Sequence, residues 1–192
     1  MNAKVHIETE RLLLRDWADD DAELWAALNA DPRVMEFFPK TFSRAESDSI
    51  MANNRARIAR DGYGKYAAEE KSSGRFIGYV GTSPVDFAAP FVPATEIGWR
   101  LARETWGQGY ASEAAAAVRD EAFADFGLDA LVAFTAEWNR PSRRVMEKIG
   151  MTYDPADDFI HPGLPVGHKL APHVLYRMDR KRWSSLSPPA AG

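Results

Sequence analysis

The chain has 192 residues, 45% of them hydrophobic and 27% charged, with a formal net charge of −4. This length and composition predict a well-buried globular protein, and the negative charge argues against general affinity for nucleic acid. The absence of cysteine excludes disulfides, thiolate metal sites and a cysteine nucleophile. The first residues have no apolar signal core, and no stretch approaches the roughly 20 apolar residues of a membrane helix, so we expect a cytoplasmic protein without membrane partners.

The chain shows no internal repeat and no interior linker, which predicts a single domain over residues 1–183. Residues 184–192 are rich in serine, proline and alanine and predict a disordered tail. Within the domain, the patterns follow the order helices, antiparallel strands, then strand–helix–strand–helix–strand. This order predicts a mixed α/β fold with a mostly antiparallel central sheet flanked by helices.

The first half of the domain begins with a strand predicted over residues 5–15. Asp19–Asp21 then opens a helix with acidic residues at its N-terminus. Ser43–Glu46 has capping-box spacing, which predicts the start of a second helix. Three strand-like runs follow, the first two joined by a turn at Lys71–Gly74. They cover residues 63–69, 75–82 and 95–102.

The second half of the domain contains the clearest helical pattern. Apolar residues recur at helical spacing over Ser112–Phe126, and Gly127 stands where a glycine commonly ends a helix. Ser142 can cap another helix, which runs to Ile149. Two strands, over residues 130–136 and 173–180, frame this last helix.

The most informative segment is 96–114, where a strand runs into a glycine-bearing loop that opens a helix. The first turn of a helix has unpaired N–H groups and a positive dipole end, and glycine lets the backbone approach an anion closely. The segment is therefore a candidate phosphate site. On local spacing alone, a plain tight turn, a dinucleotide site and a coenzyme A pyrophosphate site remain open, whereas the Walker A pattern is absent.

Residues 106–111 resemble the acyl-coenzyme A motif of the GNAT superfamily, Q/R-x-x-G-x-G/A, with Trp106 at its first position. In having an aromatic residue at this position, the segment resembles the branch related to ribosomal-protein N-terminal acetyltransferases. Further segments resemble that branch in the expected order across residues 5–180. They are Thr9–Arg15, Asn139–Met151, His161–Pro162 and His173–Arg177.

The resemblance implies an N-acetyltransferase that uses acetyl-coenzyme A and no metal. The strands at 95–101 and 130–137 would splay apart, and the pantetheine arm would fill the gap against Gly98, Trp99, Arg100 and Leu101. Backbone groups of the loop would bind the pyrophosphate, and Asn139 would hydrogen-bond the pantetheine. The loop residues are Trp106, Gly107, Gln108, Gly109, Tyr110, Ala111 and Ser112. Three arginines, Arg140, Arg143 and Arg144, are either a solvated face or a source of a contact to the 3′-phosphate.

The implied reaction is direct attack of a primary amine on the thioester in a ternary complex. A backbone N–H near Trp99 can stabilise the oxyanion. Ser142, close to the thioester sulfur, is the candidate acid, with a helix cap as the alternative interpretation. Glu96 and Glu137 are candidate bases or solvated strand-end charges. The positions of the family's usual glutamate and tyrosine hold Phe134 and Met146.

The acceptor is implied to be a protein N-terminus or a small-molecule amine. Phe37 and Phe38 lie in the connection between the first two helices, which commonly lines the acceptor cleft in this fold. His161 and His173 are candidate substrate contacts or packing residues. A non-catalytic acyl-coenzyme A sensor and a plain interaction domain remain as alternatives, and a monomer and a homodimer are both open.

Overall fold

The computed structural model describes residues 3–165 and 167–186. In these ranges nine strands form one sheet, which five α-helices and two short 3-10 helices accompany. The strands are β1 Val5–Glu8, β2 Leu12–Arg15, β3 Lys65–Glu70, β4 Arg75–Pro84, β5 Thr95–Leu101, β6 Ala130–Ala136, β7 Thr152–Tyr153, β8 Phe159–Ile160 and β9 Pro172–Asp179. The helices are α1 Asp21–Ala30, α2 Arg44–Asp61, α3 Tyr110–Ala124, α4 Arg140–Lys148 and α5 Arg180–Leu186, with the 3-10 helices at Arg103–Thr105 and Pro155–Asp157.

The sheet is open and mostly antiparallel, as predicted. Its strand order is β1-β2-β3-β4-β5-β6-β9-β7, with β8 pairing beside β9. The single parallel pair is β5 with β6, in the middle of the sheet. Their shared register is one pair, Glu96 opposite Val132. Beyond this pair the two strands diverge toward their C-terminal ends, which is the splay that the sequence resemblance implies.

Helices cover both faces of the sheet. Tyr79 on β4 lies 5.7 Å from the Trp25 ring of α1, whereas Tyr66, opposite the next residue of β4, hydrogen-bonds Glu121 of α3. Successive residues of a strand point to opposite faces, so α1 and α3 lie on opposite sides of the sheet. The apolar residues at helical spacing in α3 are buried, which confirms that predicted face.

Local signals at the helix ends are largely confirmed. Ser43 and Glu46 form the complete capping box of α2. The cap of α4 differs from the prediction: Asn139, not Ser142, is the N-cap, and its side chain accepts a hydrogen bond from the Ser142 N–H at 3.2 Å. Pro141 lies in the first turn, so the helix begins earlier than predicted, and Ser142 occupies the third helical position.

Two predictions at the ends of the chain are wrong. The strand predicted over residues 5–15 is a hairpin of two strands, because the chain turns at Thr9–Arg11. Residues 184–186 of the predicted disordered tail belong to α5, where Trp183 stacks on Phe123 at 5.4 Å between ring centroids. The remainder of that tail, 187–192, lies outside the described residues.

Candidate active site

The glycine loop joins β5 to α3 and leaves backbone amides unused. Gly107 and Gly109 adopt left-handed φ angles of +75° and +88°, which residues with a Cβ rarely adopt. A Cβ built on Gly107 would meet no atom within 4 Å, so this side of the loop is open space. Gly109 is the N-cap of α3 and supplies no side-chain cap, so the first-turn N–H groups are available to an anion.

The side chains of the loop brace it rather than cover it. The indole Nε1 of Trp106 donates to the Leu101 carbonyl oxygen at 2.9 Å, and Gln108 Nε2 donates to the Glu104 carbonyl oxygen at 2.8 Å. The Tyr110 hydroxyl donates to Glu70 on β3. Because these side chains are occupied by internal hydrogen bonds, the backbone amides are the groups that the loop offers to a ligand. Ala111 and Ser112 contribute the next two backbone amides, in the first turn of α3.

Arg11, which the sequence interpretation did not single out, fastens the β1–β2 turn to this loop. Its Nε donates to Glu113 Oε2 at 2.7 Å, and its Nη1 donates to the Gln108 carbonyl oxygen at 2.9 Å. Thr9 also donates to Glu113, at 2.6 Å. Burial would raise the pKa of Glu113, but the hydrogen bonds from Thr9 and Arg11 outweigh it and lower that pKa. The positive charge of Arg11 thus neutralises the negative charge of Glu113 at the start of α3.

Strand alternation decides which backbone groups of β5 face the splay. The Ala102 N–H bonds the Ile77 carbonyl oxygen of β4, so the backbone groups of Arg100 and Gly98 also face β4. The backbone groups of Trp99 and Leu101 face the opposite side, where β6 diverges from β5. The Leu101 carbonyl oxygen accepts a hydrogen bond from Trp106. The Leu101 N–H and both backbone groups of Trp99 therefore remain for a ligand. Of the four residues predicted to contact the pantetheine arm, alternation favours Trp99 and Leu101.

Asn139 and Ser142 lie where β6 ends and α4 begins, across the splay from the glycine loop. Asn139 uses its amide internally: Oδ1 accepts from the Ser142 N–H, and Nδ2 donates to Thr135 Oγ1 at 2.8 Å. The Ser142 side chain is half-buried, and its hydroxyl makes no hydrogen bond within the described ranges. Arg143 points away, with Nε on the Tyr176 hydroxyl at 3.3 Å, whereas Arg140 and Arg144 are exposed.

Glu96 projects from the face of β5 that carries Gly98 and Arg100. A Cβ built on Gly98 would lie 3.4 Å from Glu96 Oε1, so the carboxylate leans over the glycine. Lys65 Nζ lies 3.6 Å from Glu96 Oε2, and both side chains are 21% exposed. Burial lowers the pKa of Lys65, but attraction to Tyr79 and Glu96 outweighs it, and the net shift is upward. Lys65 thus remains a cation next to Glu96.

Aromatic rings form a wall beside Glu96. The β4–β5 loop contributes Phe87, whose ring lies 5.4 Å from Phe134 and 4.6 Å from His161. His161 and His173 are 4.9 Å apart. The other members of this wall are Phe91 and Phe159. Burial lowers the pKa of both histidines, to about 4 for His173. Both rings are therefore neutral at neutral pH.

The three remaining predicted substrate contacts lie in two places. Glu137 is exposed and lines a cavity of about 190 Å³ with Phe159 and His173. It therefore lies on the aromatic side. Phe38 stacks over the guanidinium of Arg100 at 4.0 Å, and Phe37 is half-buried next to it in the α1–α2 connection.

Several residues of the site were missed by the sequence interpretation. The alternation of Glu96, Gly98 and Arg100 between apolar neighbours signals a polar strand face, but it names no partner. Lys65, Phe87 and Arg11 come to the site from distant segments, and nothing in their local sequence marks them. Among the described residues there is no group of three histidine or acidic side chains suited to a metal, and no helix long and apolar enough to cross a membrane.

Comparison with known proteins agrees with this geometry. A family model for the acetyltransferase (GNAT) domain matches residues 11–152. A protein of Bacillus subtilis, YkkB, is 36% identical over 154 residues, which cover 80% of this chain and 88% of the relative. The crystal structure of an acetyltransferase from Agrobacterium tumefaciens superposes with a TM-score of 0.71 at 30% identity, covering 93% of this chain and 98% of that one.

The similarity to ribosomal-protein acetyltransferases is confirmed at the level of the fold. The ribosomal-protein-S5-alanine acetyltransferase from Vibrio fischeri has a TM-score of 0.73 at 19% identity, covering 94% of this chain and 99% of that one. The glycine loop and the parallel β5–β6 pair both lie inside the matched family domain. The chain belongs to the GNAT family of acetyl-coenzyme A-dependent acetyltransferases.

Proposed function

We propose that this protein transfers an acetyl group from acetyl-coenzyme A to a primary amine that enters over β5. The observation that supports this proposal most is the splay of β5 and β6. It leaves backbone groups of Trp99 and Leu101 without a strand partner, directly before a glycine loop with free helix amides. An extended ligand that ends in a phosphate-rich group fits such a combination of a strand edge and an anion site.

The residues present fit the coenzyme. Backbone amides of residues 107–112 would bind its pyrophosphate, and the open space at Gly107 leaves room for it. The Trp99 carbonyl oxygen and the Leu101 N–H would pair with the pantetheine. Asn139 has one N–H and one lone pair left after its internal bonds and would add a contact. Since Arg143 is engaged, Arg140 and Arg144 are the better candidates for the 3′-phosphate.

Acetyl-coenzyme A supplies an acetyl group activated as a thioester. An alkyl amine has a pKa of about 10 and must lose a proton before it attacks. Glu96 would accept this proton, directly or through one water, because it leans over Gly98 beside the strand edge. The Trp99 N–H would donate to the carbonyl oxygen on which negative charge develops. Ser142 Oγ, which makes no hydrogen bond within the described ranges, would give its proton to the coenzyme A thiolate that leaves when the C–S bond breaks.

The acceptor would lie between the aromatic wall and the α1–α2 connection. Neutral His161 and His173, with Phe37 and Phe38 opposite, would form the sides of its cleft. A small-molecule amine and a protein N-terminus both suit this proposal.

The test is turnover of acetyl-coenzyme A in the presence of amino acids, polyamines, aminoglycosides and N-terminal peptides, read by thiol release and by mass of the acetylated amine. We expect thiol release that depends on an amine and rises with its concentration. Binding of acetyl-coenzyme A without amine-dependent thiol release would instead favour a sensor. A control without protein measures spontaneous hydrolysis.

A further inference from the structure

In the part of the chain that the structure describes, Arg100 is a buried cation without an anionic partner in contact. It is 9% exposed, and its Nε is fully buried with no hydrogen-bond partner among the described residues. Nη1 donates to Asn29 Oδ1 at 2.5 Å, and within the described ranges no carboxylate lies within 4 Å of the guanidinium. Burial lowers the pKa of Arg100 but arginine remains charged at any physiological pH. A buried charge without a partner is strongly unfavourable, so an anionic ligand at this position would stabilise it.

The unpaired edge of the guanidinium has the geometry that a carboxylate needs. With Nη1 occupied by Asn29, the Nε and Nη2 donors remain, and these two point in the same direction. The same edge binds a carboxylate elsewhere in this protein. Arg177 Nε and Nη2 donate to the two oxygens of Asp157 at 2.6 and 2.8 Å. A carboxylate matches two donors, whereas a phosphate would leave further charged oxygens unpaired in an aromatic environment.

The surroundings of Arg100 are aromatic. Phe38 covers the guanidinium at 4.0 Å, with Trp25 at 5.3 Å and Phe42 at 5.5 Å. The only other ionised groups that act on this edge from β3 and β5 are Lys65 and Glu96, which pair with each other. This face therefore has one positive charge in excess, in an environment that strengthens electrostatic attraction.

We infer that Arg100 binds a carboxylate carried by the acceptor amine, so that the substrate is an amino acid or a related amino-carboxylate. The inference deepens the proposed function and depends on it for the position of the amine. Glu96 and Arg100 lie on one strand face, four residues and about 13 Å apart between Cα atoms. Gly98 between them contributes no side chain. A molecule lying over Gly98 can thus direct its amine to Glu96 and its carboxylate to Arg100, with Phe38 shifting to admit it.

The experiment compares acceptors that differ only in the carboxylate. Each amino acid is assayed beside its amide and its decarboxylated amine, and glycine, 3-aminopropanoate and 4-aminobutanoate serve as a ruler for the distance. We expect kcat/KM to favour the carboxylate by at least about tenfold, as for loss of one charged hydrogen bond. Arg100→Met should abolish this preference by lowering kcat/KM for each amino acid to the level of its decarboxylated amine. Arg143→Met, which removes an arginine outside this face, should keep the preference.

Thermal unfolding separates a ligand role from a structural one. Arg100→Met removes a buried charge but leaves the buried Asn29 Oδ1 without its donor, so its two effects on the melting temperature of the free protein oppose each other, and the ligand-induced shift is the readout. N-acetyl amino acids should raise the melting temperature of the parent and not of Arg100→Met. Equal loss of turnover for all acceptors in Arg100→Met, a parent that ignores the carboxylate, or preference for phosphorylated amines would each overturn the inference. If no amine is acetylated, the proposed function fails, and the thermal shift by carboxylates still decides whether Arg100 binds them.

Discussion

Gly109→Ala tests the glycine loop through a backbone angle. At φ +88° a Cβ costs about 1–2 kcal/mol, and here it would also lie 3.4 Å from Arg11 Nη2. For a domain of this size that cost corresponds to a fall in melting temperature of about 2–8 °C. If the backbone relaxes, the amide edge at the start of α3 moves. Loss of one hydrogen bond to a charged phosphate, worth about 1.5–3 kcal/mol, would weaken coenzyme binding roughly tenfold to a hundredfold.

Gly127→Ala is the matched control. Gly127 also has a left-handed φ, +65°, but it follows the opposite end of α3, about 22 Å away along the helix. Its Cβ would make an ordinary contact of 4.0 Å with Arg180. Calorimetric titration with coenzyme A and thermal unfolding of both variants give the two quantities. We expect similar loss of stability and a large difference in affinity. Equal coenzyme affinity in the two variants would refute the role of the loop.

Three further predictions concern single side chains. Ser142→Ala should lower kcat about tenfold. Its melting temperature should change little, because the Ser142 hydroxyl makes no hydrogen bond to any described residue, whereas Asn139→Ala should lose about 1 kcal/mol of stability through the lost helix cap. A stability loss without a kcat effect in Ser142→Ala would argue for a structural serine. Glu96→Gln should lose activity at neutral pH and recover toward pH 9–10 as the amine deprotonates unaided, with Glu137→Gln as the comparison, and coincident pH profiles for Glu96→Gln and the parent would remove Glu96 as the base. Burial raises the pKa of Glu121 from 4.5 to about 7, so its stabilising contribution is complete below pH 4.5 and is lost as the pH rises through 7. Glu121→Gln should gain melting temperature relative to the parent from pH 5 to pH 8, and a constant difference would contradict this shift.

Local chemistry explains which parts of the fold the sequence predicts well. The capping box at Ser43–Glu46 and the apolar stripe of α3 act within one helix, and both appear as expected. The hairpin at Thr9–Arg11 escaped prediction because its turn is held by Glu113, about a hundred residues away. The two-residue strands β7 and β8 likewise exist through pairing with β9.

The site divides in the same way. The glycine loop can be predicted from the sequence because its residue types occur at fixed spacing, and the two glycines with left-handed φ angles lie at the expected positions. The sequence predicts the polar face of β5 only in part. The burial and contacts of Arg100 depend on Asn29 and Phe38, which come from α1 and the α1–α2 connection. Ser142 has the residue type of a helix cap, but Pro141 and Asn139 move the helix start.

The central claim is that acetyl-coenzyme A binds between β5 and β6 with its pyrophosphate on the glycine loop. A crystal structure of the complex with coenzyme A tests it most directly. We expect the pyrophosphate on the amides of residues 107–112 and the pantetheine paired with the Trp99 carbonyl oxygen and the Leu101 N–H. A coenzyme bound elsewhere, or one that leaves the Trp99 carbonyl oxygen and the loop amides uncontacted, would contradict the account.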